Sequence, residues 1–245
     1  MSVTGCQEGL MAVLRPPAAL QPFLPEGFVT RDAAALLEVP PAAEITGLAA
    51  AYLNAYDCPE HPLGNPGLDA GEVSILVEPP ILEPDPGLEP SLLDFYLPLH
   101  YGSPGTAFLR TLEDSGYAAA SGTAEVSVPD PVAGATINTS VALSDAMGEV
   151  FRFVLATPVT TSTTGIVRLW HLTPSGPAAI ELRFNEQPVG RGVILSCAIR
   201  EESVAAEVIG TTACLPGGGL GLVFSPQGWQ GEYRVFSGSK VVAGD

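Results

Sequence analysis

The sequence predicts a mainly β protein: a single domain over residues 1–245, built as one large antiparallel β-barrel or cone with an enclosed cavity and one or two short helices. Three observations predict this fold. The 24 prolines and 27 glycines are spread along the whole chain, which is typical of many short strands joined by turns. Roughly ten segments carry strand-like patterns, and only one segment is clearly helical. A two-sheet sandwich is the alternative arrangement of the same strands.

The strand candidates are recognised by alternating or short continuous apolar patterns between Pro and Gly residues. Residues 1–24 are read as an irregular, proline-rich lead-in, and 79–90 as an acidic connection. Residues 47–56 fit a helix or a strand, with strand preferred, and the polar segment 157–164 fits a strand extension or a loop. The candidates are residues 35–39, 47–56, 72–78, 92–101, 122–128, 149–156, 166–173, 178–184, 193–199 and 232–236.

The helical segment is residues 103–116. Ser103 is a suitable N-cap, and Pro104 fits the first helical position. Apolar residues recur on one side of this segment, and Gly116 is a natural C-terminal stop. The expected helix follows directly on the strand 92–101.

Charge and cysteine content restrict the possible functions. The net charge of −17, without a basic patch, argues against nucleic acid as a partner. The apolar runs are too short to cross a membrane. No secretion signal is visible and the four cysteines form no CxxC pair, so we expect a cytoplasmic protein with reduced thiols and an inert, buried Cys197. Homo-oligomerisation is possible.

Residues 56–67, YDCPEHPLGNPG, contain the densest group of reactive side chains. Cys58 and His61 are zinc-ligand types, but a structural zinc site normally needs a second ligand pair, and none is evident. No metal and no cofactor are therefore expected. The prolines favour a rigid loop. It is either a solvated connection or the rim of a cavity, where Glu60 and His61 would contact a ligand.

Three further strands carry candidate side chains. His171 can act as an acid or base near neutral pH, and its neighbour Trp170 can contact a substrate. On residues 92–101, Tyr96 and His100 share the parity of a polar stripe that faces either a cavity or water. Arg152 lies among apolar residues and needs a carboxylate or an anionic ligand as partner. It either anchors an anionic group or is an edge residue.

The order of features resembles the acetoacetate decarboxylase-like superfamily. The resemblance rests on Leu24-Pro25-Glu26-Gly27-Phe28 and on residues 95–117, which end in Arg110-Thr111-Leu112-Glu113-Asp114-Ser115-Gly116-Tyr117. It implies a large β-barrel or cone around a cavity, with Glu113 as a cavity carboxylate. The family's decarboxylases carry a lysine pair just after the Gly-aromatic step, where this chain has Ala118-Ala119-Ala120. The only lysine is Lys240, so imine-based decarboxylation is not expected.

The combined interpretation is a small-molecule biosynthetic enzyme with a largely apolar, carbonyl-bearing, polyketide-like substrate. It would catalyse a cofactor-free lyase, isomerase or cyclisation step by acid–base catalysis and preorganisation. The expected catalytic residues are Glu113, His171, Tyr96 and His100, and the expected substrate-binding residues are Arg152, Glu60, His61 and Trp170. A non-catalytic carrier of small ligands is the alternative, and a protein–protein module is a third.

Overall fold

The computed structural model describes residues 2–3, 6–36, 46–58, 68–78, 89–129, 136–214, 216, 220–224 and 229–235. Its strands are β1 (Ser2–Val3), β2 (Gln7–Arg15), β3 (Ala49–Cys58), β4 (Leu68–Leu76), β5 (Leu93–Gly102), β6 (Ala119–Ser121), β7 (Thr123–Ser127), β8 (Thr136–Asp145), β9 (Gly148–Thr173), β10 (Gly176–Ile199), β11 (Ala213–Cys214), β12 (Leu220–Phe224) and β13 (Trp229–Val235). The helices are α1 (Pro17–Leu20), α2 (Ala107–Asp114) and α3 (Val204–Ile209), with 3₁₀ turns at Gln21–Phe23 and Ala33–Leu36.

These strands form one sheet within the described residues. The strand order is β1-β13-β10-β12-β2-β3-β4-β5-β9-β8-β7, and β6 and β11 add to β5 and β10. The long strands β9 and β10 also pair with each other. Most neighbours are antiparallel, whereas β5 runs parallel to β6 and to β9. The mainly β prediction is confirmed, and closure into a barrel stays a prediction.

The core forms two buried clusters on opposite faces of the central strands. On β3, Ala51, Leu53 and Ala55 pack in the first cluster, and Tyr52, Tyr56 and Cys58 pack in the second. Side chains of a strand alternate between faces, so a strand buried on both faces has an almost continuous apolar sequence. For this reason the apolar pattern of residues 47–56 fits both a strand and a helix, and periodicity alone does not decide between them.

Several predicted elements have different bounds. The expected irregular lead-in contains β2, a nine-residue strand, and residues 35–36 lie in a 3₁₀ turn, with 37–39 outside the described residues. The separate strands 149–156 and 166–173 are parts of the 26-residue β9, and the polar segment between them continues that strand. Pairing with β10 along most of its length keeps the polar part of β9 extended.

The predicted helix is shorter than expected, because Thr106 and not Ser103 is its N-cap. The Thr106 hydroxyl accepts a hydrogen bond from the Leu109 backbone N–H at 3.2 Å. The Ser103 hydroxyl instead binds the backbone N–H and C=O of Asp69, at 2.7 and 2.8 Å. Gly116 follows the helix with φ of 83°, as the C-terminal stop predicts.

All four cysteines form disulfides, which corrects the expectation of reduced thiols and of a free Cys197. Cys6 joins Cys58, and Cys197 joins Cys214. Cys197 of β10 lies directly opposite Cys214 of β11. Cys6, just before β2, and Cys58, the last residue of β3, flank the opposed pair Gln7 and Asp57. No helix in the described part of the chain is long and apolar enough to cross a membrane.

Candidate active site

Four neighbouring strands align a row of side chains across one face of the sheet. Leu10 of β2 lies opposite Asn54 of β3, Asn54 lies opposite Glu72 of β4, and Glu72 lies opposite His100 of β5. His100 in turn pairs with Ala119 of β6. Side chains directly opposite one another share a face, so three polar residues from three strands form one continuous row.

A register shift in β5 places His100 in this row. Val73 pairs with Leu99 and Ile75 pairs with Tyr96, so β5 has one residue more than β4 between the two pairs. Such a β-bulge interrupts strict alternation, and it includes Pro98, which cannot donate a ladder hydrogen bond. Consequently Tyr96 packs with the first core cluster, while His100 lines a cavity beside Phe95. The expected common face of Tyr96 and His100 is therefore wrong.

The row of polar side chains lines a small cavity of about 70 Å³. Apart from its polar residues, the cavity is lined by aliphatic and aromatic side chains that come mainly from β5, α2, β9 and β10. Among these lining residues, all in the described part of the chain, none is Lys or Arg. The polar lining residues are Glu8, Asn54, Tyr56, Glu72, Ser74 and His100.

Two carboxyl groups share the Asn54 amide. Asn54 Nδ2 donates a hydrogen bond to Glu8 Oε1 at 2.8 Å, and the same amide lowers the pKa of Glu72 through a hydrogen bond. Asn54 is 5% exposed, and its Oδ1 has no hydrogen-bond partner. A buried acceptor without a partner costs free energy unless a ligand or water occupies it. The Asn54 carbonyl is therefore available to a donor in the cavity.

Burial raises the pKa of both carboxyl groups. Loss of solvation raises the pKa of Glu8 to about 7, although the Asn54 hydrogen bond lowers it. The pKa of Glu72 rises to about 8, first from burial and then from the negative charge of Glu8. Since the two groups interact, they titrate as a pair. Near neutral pH the pair holds about one proton, so a carboxylate and a protonated carboxyl coexist.

His100 and Tyr56 stay neutral beside this pair. Burial lowers the pKa of His100 to about 3, and burial together with nearby carboxylates raises the pKa of Tyr56 well above its usual value. Nε2 of His100 is 3.3 Å from the Tyr56 hydroxyl, and Nδ1 is 3.8 Å from Glu72 Oε1. His100 Nδ1 has no hydrogen-bond partner, so the ring can still bind a group in the cavity.

Of the eight residues expected from the sequence, His100 lies in the cavity. His171 does not line it: its ring stacks on Tyr117 with centroids 3.5 Å apart, and its Nε2 is 2.8 Å from the Ser115 carbonyl. Trp170 is fully buried in the first core cluster and donates through Nε1 to Asp94 at 2.7 Å. Tyr96 packs against Phe28 outside the cavity.

The other expected residues lie away from the row. Glu113 is exposed on α2. Arg152 is 48% exposed and pairs with Glu149 at 2.7 Å, so the carboxylate partner that its sequence context required comes from its own strand. Glu60 and His61 lie outside the described residues. The cavity therefore contains neither Glu113 nor Arg152.

Glu8, Asn54, Tyr56 and Glu72 were not anticipated as site residues. Glu72 alternates with the apolar residues Val73 and Ile75, and alternation alone does not say which face of a strand is buried. Asn54 gave the clearest available signal, because it is a lone amide in an otherwise apolar stretch of β3. A polar side chain at such a position needs a hydrogen-bond partner. Glu8 lies in residues 1–24, for which the sequence predicts no strand, so no face could be assigned to it.

The described residues contain no group of three His, Cys, Asp or Glu side chains that could hold a metal ion. Cys58, the thiol of the YDCPEHPLGNPG segment, is bonded to Cys6. A disulfide sulfur is not the thiolate that zinc requires. Residues 59–67 of the same segment lie outside the described residues.

Comparisons with known proteins give structural relatives only. No family model and no curated protein matches the chain. Two structures of the enduracididine biosynthesis enzyme MppR, one with HEPES and one with a condensation product of pyruvate and imidazole 4-carboxaldehyde, match at a TM-score of 0.61 with 17% and 16% identity. They cover 96% of this chain and 86% and 88% of their own.

An acetoacetate decarboxylase-like enzyme from Sphingomonas wittichii RW1 matches at a TM-score of 0.54 and 15% identity, covering 96% of this chain and 92% of its own. Acetoacetate decarboxylase from Legionella pneumophila matches at 0.52 and 8% identity, covering 96% and 87%. The resemblance to the acetoacetate decarboxylase-like superfamily is thus confirmed at the level of the fold.

Proposed function

We propose that this chain, which has the fold of acetoacetate decarboxylase-like enzymes, is a small-molecule biosynthetic enzyme that catalyses proton transfer at carbon next to a carbonyl group. The observation that carries the proposal is the presence of half-buried Glu8 and buried Glu72 in one cavity, with pKa values of about 7 and 8 that suit an acid–base catalyst at neutral pH. The structural relatives include a biosynthetic enzyme, which favours the same class.

The proposed step needs only groups that line the cavity. Glu72, in the form of the pair whose shared proton resides on Glu8, accepts a proton from the α-carbon as a carboxylate, and the C–H electron pair moves into an enolate. The protonated carboxyl or the Tyr56 hydroxyl donates a hydrogen bond to the enolate oxygen. If the enolate is conjugated with a C=C bond, returning the proton to the γ-carbon gives isomerisation. Attack of the enolate carbon on a second carbonyl carbon, whose oxygen takes the proton of the protonated carboxyl, forms a carbon–carbon bond and gives cyclisation, and the reverse reaction breaks that bond and is a lyase step.

Imine chemistry is not part of the proposal, because alanine occupies the relevant strand. β6 begins at Ala119, which pairs with His100, and this stretch follows the Gly-aromatic step after which the resembling decarboxylases carry lysines. A methyl group cannot form an imine. The two carboxyl groups would then provide the acid and the base without a covalent intermediate.

We also propose that a closed wall of strands surrounds the cavity. The pairings run from β5 to β9, β10, β12, β2, β3, β4 and back to β5. A strand order that returns to its starting strand supports closure, since barrels have no free edge. Side chains of β2, β3, β4, β5, β9 and β10 line the cavity, which fits a site enclosed by that wall.

Exchange of α-protons in D₂O tests the proposed reaction. Acetone, butanone and hydroxyacetone are incubated with the protein, and deuterium incorporation is followed by NMR. We expect exchange well above the buffer rate, a loss of about 100-fold or more in Glu72→Gln, and no change in the exposed control Glu113→Gln. Near-UV circular dichroism checks that each variant is folded.

The same NMR samples separate an enzyme from a carrier. Saturation transfer from the protein to a ketone that shows no exchange would favour the non-catalytic carrier. Exchange that persists in Glu72→Gln, or the absence of both exchange and binding across the three ketones, would overturn the proposal.

A further inference from the structure

The cavity presents hydrogen-bond acceptors and no fixed positive charge. Glu8 and Glu72 supply carboxyl oxygens, and the Asn54 Oδ1 is a buried acceptor without a partner. No Lys or Arg stands among the lining residues of the described chain. An anionic ligand group would meet a carboxylate here and find no counter-ion. A ligand carrying N–H donors would satisfy the acceptors that the protein leaves open.

The electrostatic potential around the whole protein is negative, like the charge in the cavity. The chain carries 27 acidic residues against 10 Lys and Arg, so its surface potential attracts cations and repels anions. Inside a cavity of low polarity, a cation next to a carboxylate gains more than in water. The local and overall charge therefore select the same kind of ligand.

We propose that the substrate carries a protonated nitrogen next to or near its carbonyl group, and that this nitrogen binds between the Glu8 carboxylate and the Asn54 carbonyl oxygen. Asn54 already holds Glu8 in place through its Nδ2 at 2.8 Å, so one side chain orients the carboxylate and offers a second acceptor. Glu72, beside His100 in the next strand, is then left to transfer the α-proton.

With the cation bound, the two carboxyl groups have different roles: Glu8 binds the protonated nitrogen and Glu72 transfers the α-proton. A positive charge beside Glu8 favours ionisation of both carboxyl groups and displaces the proton that they share. Glu72 becomes a carboxylate in contact with the substrate, while Tyr56 and His100, the other titratable groups of the cavity, remain neutral. Ligand binding and release of one proton are therefore coupled. This inference rests on the cavity assigned under the proposed function, and it concerns binding, not turnover.

Aminoacetone and hydroxyacetone form a matched pair of probes, because the same ketone carries an ammonium group in the first and a hydroxyl group in the second. Pyruvate is the anionic comparison. We expect aminoacetone to bind at least tenfold more tightly than hydroxyacetone at pH 7.5, measured by titration calorimetry, and pyruvate to bind most weakly. Calorimetry in phosphate and in Tris buffers should show that aminoacetone binding releases about one proton, and hydroxyacetone binding should release none.

Variants locate the effect. Glu8→Gln keeps the shape of the side chain and should remove the preference for aminoacetone, and Asn54→Leu should reduce it several-fold. The exposed carboxylate variants Glu113→Gln and Glu149→Gln should bind both probes like the wild type. Equal binding of the two probes, tighter binding of pyruvate, or a preference that survives in Glu8→Gln would overturn the inference.

The two proposals can fail separately. If ketone exchange depends on Glu72 but the ammonium gives no advantage, proton transfer stands and the cationic substrate does not. If aminoacetone binds through Glu8 but no ketone exchanges its α-protons, the cationic ligand stands and the cavity binds without catalysing proton transfer.

Discussion

The Glu8 and Glu72 side chains show how position in the fold changes the chemistry of a residue. In an exposed strand both would be ionised above pH 5. Burial against aromatic and aliphatic side chains raises both pKa values, and each negative charge makes the other less favourable. His100 is shifted the opposite way, because its charged form is the protonated one. Near neutral pH Glu8 and Glu72 therefore share about one negative charge, and His100 is neutral.

The raised pKa of Glu72 predicts a pH-dependent stability. Between the ordinary pKa of 4.5 and about 8, the folded state binds more protons at Glu72 than the unfolded state. The free energy of unfolding therefore falls as pH rises through this window. The glutamine of Glu72→Gln does not titrate. The free energy of unfolding of this variant, taken relative to wild type, should therefore be higher at pH 8.5 than at pH 5 by on the order of 2 kcal/mol or more. Urea unfolding at the two pH values measures the gain.

Glu113→Gln is the matched control for this stability effect, since Glu113 is exposed. Its difference from wild type should stay within about 0.5 kcal/mol at both pH values. An equal effect of Glu72→Gln at pH 5 and at pH 8.5 would contradict the raised pKa of Glu72.

At the scale of elements, a disulfide, a helix and a β-bulge each position one part of the cavity. The Cys6–Cys58 disulfide lies next to the strand ends that carry Glu8 and Tyr56, which are direct partners in the β2–β3 ladder. The helix α2 packs Phe108 against His100, with ring centroids 5.5 Å apart. The bulge in β5 brings the His100 ring onto the cavity face. Each element fixes one group of the cavity.

The two disulfides predict different losses of stability. The sequence separation is 52 residues for Cys6–Cys58 and 17 for Cys197–Cys214. Loop-closure entropy in the unfolded chain then gives about 4 kcal/mol for the first and about 3 kcal/mol for the second. The paired alanine variants should show this order in chemical unfolding of the oxidised proteins.

Removing Cys6–Cys58 should also weaken ketone binding, because that bond lies beside the Glu8 strand, while removing Cys197–Cys214 should not. Equal effects of the two paired variants on binding would show that the first disulfide does not position the site.

Sequence patterns predicted elements better than they predicted the site. The strands around 49–58, 93–102 and 229–235 and the helix ending before Gly116 follow from local apolar patterns and turn residues. The cavity residues Glu8, Asn54 and Glu72 come from three strands, and their meeting depends on register. Local patterns carry no information on which strand pairs with which, so this row could not be anticipated.

At the scale of the whole molecule, one sheet contains the strands of the described residues, and the chain has a large excess of negative charge. The long β9 and β10 pair with each other and with β5, β8, β11, β12 and β13, so they join β5, which lines the cavity, to β12, the neighbour of β2. The net charge of −17 is spread over a 245-residue chain. Self-repulsion among like charges lowers the stability of the folded state.

Salt should therefore stabilise the folded protein. Raising NaCl from about 10 mM to about 150 mM shortens the screening length from about 30 Å to about 8 Å, and we expect Tm to rise by several degrees at pH 8. At pH 5, where acidic side chains begin to be protonated, the rise should be smaller. Differential scanning calorimetry measures both. A Tm that falls with added salt at pH 8 would show that attractive ion pairs outweigh the net repulsion.

The sequence by itself determined the mainly β class, the position of α2 and the absence of lysine after the Gly-aromatic step, because these depend on residue type and on neighbours along the chain. The tertiary structure decided which polar side chains meet. A bulge in β5 places His100 on the cavity face. Glu72 is buried, whereas Glu113 and Arg152 are exposed. Burial and register are properties of paired strands, and a carboxyl group acquires a pKa near neutral only once those pairings have removed it from water.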